Sequence, residues 1–381
     1  MLLIQNGTIY TPDEVIDGGT VGIKNGRIVT IAAAQDIGPI GAAEVIDATG
    51  KLLVPGFIDL QCNGGFGHDF TADPASIWEA AARLPQYGVT TFLPTIITSP
   101  FDTIQAAQAV IANVPADFKG TWPLGLHLEG PFLNPAKKGA HNPHYLCSPQ
   151  VDRVLEWSPE SGVCLVTLAP ELDGALEVVA KLAENGVVVS AGHSMATFDE
   201  AAAGFDAGMR YGTHLFNAMP QIHHREPGLA GALLADDRLV VGLIPDGIHV
   251  HPALIKTVWQ TLGNGRLNLV TDAMGAIGMP SGTYLLGEFE VTVTGTTAHL
   301  ANGTLAGSVV VMDEAIRKLI DYTDCSLAEA LPTVTTTPAR LLGLKHKKGQ
   351  IAPGFDADLV LLNPDLTVDM TFVNGQIVYK S

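Results

Sequence analysis

Two histidines and one glutamate, far apart in the sequence, have the side chains of a catalytic metal site. Glu129, His193 and His214 each stand at or near the end of a short apolar run. One carboxylate and two imidazoles, with a coordination position left for water, form a common catalytic zinc arrangement. The alternative interpretation is that each histidine only makes hydrogen bonds at the end of a strand. Three suitable ligands at three strand ends favour the metal site.

Asp272, which follows the last apolar run, has the chemistry of a general acid and base. A carboxylate beside an activated water accepts its proton and later delivers a proton to a leaving nitrogen. Taken alone, Asp272 is better interpreted as a strand-end residue that caps the following turn than as a catalytic residue. Only its convergence with the three metal candidates favours the catalytic interpretation.

Gln61 and Asn63 end the first apolar run, where many metal-dependent barrel hydrolases carry His-x-His to hold a second ion. Neutral amides are poor ligands for transition metals. We therefore predict one metal ion per chain, with Gln61 and Asn63 as the vestigial positions of a second metal site.

Arg225 and His249 are candidates for binding an anionic group of a substrate. The chain has a net charge of −18, so an anionic substrate must be held by a few local cations. A guanidinium can bind phosphate or carboxylate with two hydrogen bonds. From the residues alone, a surface ion pair between Arg225 and Glu226 is an equally good interpretation, and His249 also reads as a buried strand-end imidazole.

Eight continuous apolar runs supply the elements that must position these side chains. They cover residues 53–60, 91–97, 124–128, 163–168, 187–191, 211–216, 239–244 and 267–270. Unbroken runs of this kind suit strands buried on both faces of a parallel sheet, and helix signals fall between several of them. Eight such strands alternating with helices over roughly 290 residues predict an α/β fold, a (β/α)8 TIM-type barrel. The carboxyl ends of barrel strands open on one face, where the polar residues would meet.

Both ends of the chain are rich in β-strand patterns and predict a smaller second domain. Asn-Gly pairs at 6–7, 25–26 and 374–375 separate short apolar or β-branched runs, which is a strong hairpin signal. Neither end is long enough for a core of its own, so we expect the two ends to pair. The predicted domains are residues 1–52 and 344–381, which together form the small β domain, and residues 53–343, which form the barrel.

The composition excludes several classes of protein. With 47% apolar and 16% charged residues among 381, the chain is not disordered and has a large core. The net charge of −18 argues against a nucleic-acid or anionic-membrane partner. The four cysteines form no CxxC pair, which indicates a reducing compartment. No purely apolar stretch of 18 residues occurs, and the first residues do not read as a signal peptide, so we expect a soluble cytoplasmic protein.

Motifs along almost the whole chain carry a resemblance to a known family. They are Pro-Gly-Phe-Ile-Asp (55–59), Leu-His-Leu-Glu-Gly-Pro-Phe (126–132), Gly-Ala-His (139–141), Ala-Gly-His-Ser (191–194), Thr-His-Leu-Phe-Asn-Ala-Met (213–219), Arg-Glu-Pro-Gly (225–228) and Thr-Asp-Ala (271–273). The set resembles the N-acetylglucosamine-6-phosphate deacetylases of the amidohydrolase superfamily. The first motif is typical of the superfamily, whereas the second together with the fifth is specific to the deacetylases. The resemblance also implies that the small β domain is a β-sandwich.

The resemblance implies a role for each matching residue. Glu129, His193 and His214 match the metal ligands, Asp272 matches the catalytic acid/base, and His141 matches a residue that polarises the substrate carbonyl. The positions implied around the sugar, its acetamide and its phosphate are Ala140, Asn217, Ala218, Leu305, Ala306, Gly307, Arg225 and His249. The last two match phosphate contacts in a site similar to those completed across a homodimer interface.

The implied activity is hydrolysis of N-acetyl-D-glucosamine 6-phosphate to D-glucosamine 6-phosphate and acetate, in amino-sugar catabolism and recycling. The implied cofactor is one divalent metal ion per subunit; zinc is expected, while iron, cobalt and manganese also suit two imidazoles and a carboxylate. Two alternatives stay open from the residues: another amidohydrolase, acting on a cyclic amide or an N-acyl amino acid, and a non-catalytic barrel that serves as a scaffold.

Overall fold

The computed structural model describes residues 1–33 and 44–381. Its strands, in chain order, are β1 (Leu2–Tyr10), β2 (Val15–Lys24), β3 (Arg27–Ala32), β4 (Glu44–Asp47), β5 (Leu52–Pro55), β6 (Phe57–Cys62), β7 (Gly64–Gly65), β8 (His68–Asp69), β9 (Val89–Ile97), β10 (Trp122–Pro123), β11 (Leu126–Glu129), β12 (Val163–Leu168), β13 (Val188–Ala191), β14 (Tyr211–Gly212), β15 (Val240–Leu243), β16 (Leu267–Leu269), β17 (Gly282–Leu286), β18 (Phe289–Thr294), β19 (Thr297–His299), β20 (Leu359–Leu362), β21 (Val368–Val373) and β22 (Gln376–Lys380).

The helices lie mostly between the strands of the central segment. The α-helices are α1 (Ile77–Ala81), α2 (Phe101–Ala112), α3 (Ala175–Glu184), α4 (Phe198–Ala207), α5 (Gly228–Ala235), α6 (Pro252–Arg266), α7 (Met312–Thr323), α8 (Leu327–Ala330) and α9 (Thr336–Leu341). Short 3-10 helices cover Pro74–Ser76, Leu84–Tyr87, Pro135–Lys137, Pro143–Tyr145, Val151–Arg153 and Leu331–Val334. Among the helices of the described ranges, none has both the length and the apolar character needed to span a membrane.

Eight parallel strands form the predicted barrel, which the structure confirms. They run in the order β6, β9, β11, β12, β13, β14, β15 and β16. A parallel bridge between Cys62 and Ala273 closes the ring beyond β16. At this seam the amide of Asn63 donates to the Ala273 carbonyl at 2.7 Å, and the amide of Asp272 donates to the Gln61 carbonyl at 2.8 Å. The seam therefore places the first and last strand ends side by side.

Two of the predicted barrel strands differ in the structure. The run 53–60 is two strands: β5 belongs to the small sheet, and β6 starts after Gly56, where a Cβ would lie 2.2 Å from Thr90 Oγ1. The run 211–216 yields only the two-residue β14. His214 and Phe216 both have positive φ, so the chain leaves the extended conformation soon after Gly212.

The small domain is one hydrogen-bonded sheet of eight strands from both chain ends. Its order is β22-β21-β20-β5-β1-β2-β3, with β4 beside β1. It has its own core, which includes Ile4, Val21, Leu53 and Phe372. The pairing of the two chain ends is as predicted.

Two of the three Asn-Gly pairs form the predicted hairpins, and the third does not. At 25–26 and 374–375 both residues have positive φ, which joins β2 to β3 and β21 to β22. The prediction of a turn at 6–7 is wrong, because β1 continues through it. The register against β2 shifts on both sides of Gly7, so a bulge absorbs this Asn-Gly pair.

A three-stranded antiparallel sheet, β17-β18-β19, is inserted after the last barrel strand. Its apolar side packs on Ile97, Met274 and Ala306. At the turn between β17 and β18, Glu288 accepts hydrogen bonds from Asn142 Nδ2 at 2.5 Å and Tyr145 Oη at 2.9 Å. The insertion is thus fastened to the loop that follows β11.

Candidate metal centre and active site

Glu129, His193 and His214 meet at the carboxyl end of the barrel. Glu129 is the last residue of β11, and the two histidines stand two residues beyond β13 and β14. His193 Nε2 and His214 Nε2 are 3.0 Å apart, and they lie 3.1 and 3.0 Å from Glu129 Oε1. Within the described residues, this is the one set of three or more His, Cys, Asp or Glu side chains whose ligand atoms lie so close together.

The donor set fits a divalent metal ion. His193 Nδ1 donates to the carbonyl of Lys137 at 2.8 Å, which leaves the lone pair on Nε2 to face His214 and Glu129. Lone pairs this close repel each other unless a cation lies between them. Burial alone would raise the pKa of Glu129, but the two adjacent imidazoles outweigh it, so this pKa lies well below its usual value and the carboxylate is ionised. The cluster is therefore suited to hold a divalent metal ion.

Asp272 lies beside the cluster and is held by Asn63. The Asn63 amide Nδ2 donates to Asp272 Oδ1 at 2.7 Å, and both side chains are buried. Burial, followed by the negative charge of Glu129, raises the pKa of Asp272 to about 6. Gln61 likewise holds a carboxylate of the site: its Nε2 donates to Glu129 Oε1 at 3.1 Å.

His141 faces the same cluster with a defined tautomer. The backbone amide of Thr98 donates to His141 Nδ1 at 3.3 Å, and Thr98 Oγ1 is 2.9 Å from the same nitrogen. Because Nδ1 accepts from a backbone amide, the proton of the neutral ring is on Nε2, which lies 3.8 Å from Glu129 Oε2. Burial and the neighbouring His193 lower the pKa of His141 to about 3, so the ring is neutral near pH 7.

A cavity of about 500 Å³ opens over these side chains. It is lined by Glu129, His141, His193, His214 and Asp272. Every residue predicted to contact the sugar or acetamide also lines it: Ala140, Asn217, Ala218, Leu305, Ala306 and Gly307. Asn63 and His249 line it as well, whereas Arg225 does not. A cavity of this volume accommodates a small-molecule substrate.

Comparisons with known proteins agree on the family. A family model described as the amidohydrolase family matches residues 52–378. The N-acetylglucosamine-6-phosphate deacetylase of Bacillus subtilis (strain 168) is 37% identical and covers 100% of this chain and 98% of its own length. The crystal structure of the Thermotoga maritima enzyme of the same name is 33% identical, with a TM-score of 0.90 and full coverage of both chains.

A variant of the Mycobacterium smegmatis N-acetyl-D-glucosamine-6-phosphate deacetylase, solved with N-acetyl-D-glucosamine-6-phosphate, is 36% identical. Its TM-score is 0.90, and the match covers 100% of this chain and 99% of that one. This chain belongs to the amidohydrolase family, among the N-acetylglucosamine-6-phosphate deacetylases. The resemblance drawn from the sequence motifs is confirmed.

Of the residues predicted to be catalytic, metal-binding or substrate-binding in this deacetylase-family chain, Arg225 alone does not line the cavity. It is exposed, and its Nη1 donates to His224 Nε2 at 2.8 Å. Among the described residues it forms no ion pair, so the alternative pairing with Glu226 is not seen either.

Sequence reasoning missed four residues that this member of the family places in or around the site. Lys137 and Lys138 line the cavity, Thr98 holds His141, and Asp246 holds His249. The two lysines precede the Gly-Ala-His motif, and this adjacency was a usable signal. Thr98 and Asp246 carried none, because contacts across separate loops depend on the fold.

Proposed function

We propose that this chain hydrolyses N-acetyl-D-glucosamine 6-phosphate to D-glucosamine 6-phosphate and acetate. The main support for this activity is a single cavity. It is lined by the Glu129, His193 and His214 cluster, by Asp272, and by every residue predicted around the sugar and acetamide. The Mycobacterium smegmatis relative, which has the same fold, was solved with this sugar phosphate. A non-catalytic scaffold would have no use for the converging acid, base and ligand groups.

We propose that Glu129, His193 and His214 hold a single zinc ion. The amide side chains of Gln61 and Asn63 are committed to hydrogen bonds with Glu129 and Asp272, which supports one ion and no second one. A divalent ion held by these three residues would supply Lewis-acid chemistry, because it would make a water molecule more acidic and polarise a nearby carbonyl group. The neutral tautomer of His193, fixed by the Lys137 carbonyl, is the form that such a ligand requires.

Asp272 is assigned the proton transfers. Asn63 occupies Oδ1, so Oδ2 is the oxygen that accepts a proton from the attacking water. Asp272 must be ionised for this step. Its raised pKa of about 6 means that the carboxylate is a stronger base than that of an ordinary aspartate. The protonated Oδ2 then donates to the nitrogen of the departing amine, and the C–N bond breaks to give acetate and the free amino sugar.

His141 is assigned the carbonyl oxygen of the acetamide. Thr98 fixes the proton on Nε2, on the side of the ring that faces Glu129 and the cavity. A neutral N–H in a buried site donates to the oxygen as negative charge develops on it. The His141 ring is rigidly placed, since it is 4% exposed and packs edge-on against His193.

The phosphate is assigned to His249 of the same chain and to Arg225 of a second subunit in a homodimer. His249 lines the cavity, whereas Arg225 lies outside it on an exposed loop. Beside that loop is an apolar groove that includes Phe216, Ile222 and Leu254, and Ile222 and Leu254 are each 48% exposed. Pairing of two such grooves would bury apolar surface and carry each Arg225 toward the partner's cavity.

We also propose a cytoplasmic location and the domain limits 1–52, 53–343 and 344–381. The location rests on the four cysteines, all of which are free thiols, and on a substrate that carries phosphate. The limits rest on the apolar patterns of the sequence, with β5 serving as the crossing from the small sheet to the barrel.

The experiment is an acetate-release assay with purified, zinc-loaded protein. N-acetyl-D-glucosamine 6-phosphate, unphosphorylated N-acetyl-D-glucosamine, an N-acetyl amino acid and a cyclic amide are supplied at equal concentrations, and hydrolysis of the cyclic amide is followed by its ring-opened product. The sugar phosphate should be hydrolysed fastest. Preference for the amino acid or the cyclic amide would replace the proposal by the other amidohydrolase activity, and inactivity on all four would support a scaffold.

A further inference from the structure

We propose that Asp246 is a positioning residue that fixes the His249 ring so that its Nε2 faces the substrate phosphate. The inference rests on the proposed function, because it concerns how that same site binds the phosphate. Asp246 follows β15 by three positions and does not line the cavity. It therefore acts on the substrate only through His249.

The contact between the two side chains is short and buried. His249 Nδ1 donates to Asp246 Oδ2 at 2.6 Å, and the side chains are 7% and 6% exposed. His249 itself lines the cavity, and its Nε2 has no hydrogen-bond partner within residues 1–33 and 44–381. With Nδ1 committed to the carboxylate, Nε2 is the ring atom that remains for a ligand.

The other oxygen of Asp246 shapes the loop. Oδ1 accepts from the backbone amides of Ile248 and His249, each at 2.8 Å. Gly247, which lies between Asp246 and Ile248, has a φ of 78°, a conformation that a residue with a side chain would adopt only under strain. One carboxylate thus holds both the backbone and the ring of His249. Because the ring is already ordered, little conformational entropy is lost when a ligand binds.

The charge of Asp246 also suits a phosphate site. Burial alone would raise the pKa of Asp246, but the hydrogen bond from His249 outweighs it and keeps this pKa below its usual value. A phosphate oxygen at Nε2 would be bound through a proton on that nitrogen, and the carboxylate that accepts from Nδ1 favours this arrangement of the ring. Lys318 donates to the backbone carbonyl of Asp246 at 3.2 Å, and its Nζ lies 3.4 Å from Glu314 Oε1, so these contacts leave the Asp246 carboxylate to His249.

Asp246→Asn separates the two tasks of the carboxylate. The asparagine oxygen can still accept from the two backbone amides, but its NH2 cannot accept from His249 Nδ1. Charge-assisted hydrogen bonds are roughly twice as strong as neutral ones, so we expect KM for the sugar phosphate to rise about tenfold or more. The kcat for this substrate and the kcat/KM for unphosphorylated N-acetyl-D-glucosamine should change by less than about twofold.

The test measures KM and kcat for both substrates, and inhibition by inorganic phosphate, in zinc-loaded Asp246→Asn, His249→Ala and the double variant. Asp321→Asn, an exposed aspartate on α7, is the matched control and should equal wild type. Phosphate inhibition should weaken about as much as KM rises. The double variant should be no worse than His249→Ala alone, since Asp246 acts through that ring.

Three outcomes would overturn the inference. Wild-type KM in Asp246→Asn would mean that only the loop contacts matter, and equal losses on both substrates would mean a general structural role. Full additivity in the double variant would mean that Asp246 acts without His249. Failure of the proposed function looks different, because then wild-type protein itself would release no acetate from the sugar phosphate. If Asp246→Asn does not fold, selective loss in His249→Ala combined with unchanged phosphate inhibition would still contradict the inference.

Discussion

Asn63 donates a hydrogen bond from Nδ2 to Oδ1 of Asp272 across 2.7 Å, and the two residues come from opposite ends of the barrel's strand order. Gln61 makes the equivalent bond to Glu129 at 3.1 Å. The two amides that we predict to be vestigial second-metal positions therefore each hold a carboxylate. Gln61 orients the Glu129 carboxylate toward the ligand cluster, and Asn63 orients the Asp272 carboxylate toward the cavity.

The first prediction concerns metal content. Zinc-loaded protein should contain one tightly held ion per chain, and His193→Ala or His214→Ala should lose it together with nearly all activity. Removal of the metal by a chelator should also lower Tm, because an ion that binds only the folded chain stabilises it. Elemental analysis after gel filtration and a thermal scan make these measurements.

His346→Ala is the control for the metal variants, since it removes an exposed histidine far from the cluster in sequence. It should keep full metal content. Two tight ions per chain, or unchanged metal in both ligand variants, would show that the cluster is wrongly assigned.

The second prediction concerns Asp272. Asp272→Asn keeps the size of the side chain and removes the base, so kcat should fall by at least ~10²–10⁴ while the metal stays bound. Steady-state kinetics and metal analysis on the same preparation check this. A change confined to KM would assign Asp272 to substrate positioning instead.

The third prediction concerns the support of His141 by Thr98. Thr98→Val removes the hydroxyl 2.9 Å from His141 Nδ1 and keeps the backbone amide, so kcat should fall modestly, by about three- to tenfold. Thr98→Ser should restore most of the loss, and His141→Ala should be much more severe. If Thr98→Ser were as impaired as Thr98→Val, packing of the methyl group would be the cause.

The fourth prediction concerns Arg225. Arg225→Ala should lower kcat/KM for the sugar phosphate by about 10–10³, as expected for lost charged hydrogen bonds, with little effect on the unphosphorylated sugar. When the Arg225→Ala protein is mixed with the Asp272→Asn protein and the subunits exchange, the mixture should regain activity. In a dimer that shares Arg225, about a quarter of the sites then combine an intact Asp272 with the partner's intact guanidinium.

No gain on mixing, with exchange verified, would place Arg225 at its own chain's site. Equal losses on both sugars would instead make it a structural residue.

The fifth prediction concerns pH and stability through Asp59. This carboxyl is buried and accepts from Thr271 Oγ1 at 2.6 Å, and burial is the main cause that raises its pKa to about 7. The folded chain therefore holds a proton that the unfolded chain releases near pH 4, so the free energy of unfolding falls as pH rises from about 4 to about 7. Between pH 5 and pH 8, ionisation of Asp59 should lower the free energy of unfolding by up to about 3 kcal/mol.

Urea unfolding of wild type and Asp59→Asn at pH 5 and pH 8 measures that cost. The variant should lose less stability than wild type between the two pH values, while Asp69, whose pKa is also raised, titrates in both proteins. An identical pH dependence would mean that Asp59 is ionised throughout this range.

The barrel and the convergence of polar residues at its strand ends could be predicted because the relevant signals are local. An unbroken apolar run marks a buried strand, and a polar residue at its end, such as Glu129 or Asp272, marks the open face. The inserted sheet of β17, β18 and β19 was missed because its strands are half exposed and carry no continuous apolar run. Its place over the cavity depends on contacts between Glu288 and a distant loop, which no local pattern records.

The supporting residues were missed for a similar reason. The roles of Asp246 and Thr98 are defined by hydrogen bonds whose partners the sequence does not pair. The short β14 was mispredicted because positive φ values at His214 and Phe216 are imposed by the site and contradict the β-forming character of the run.

The closing bridge between Cys62 and Ala273 matters for one part of the site and not for the other. The ligand cluster is built on β11, β13 and β14, which lie within one arc of neighbouring strands, whereas Asn63 and Asp272 stand on the two sides of the seam. The ligand cluster therefore needs no strand pairing across the seam, whereas the Asn63–Asp272 pair exists only where the ring is closed.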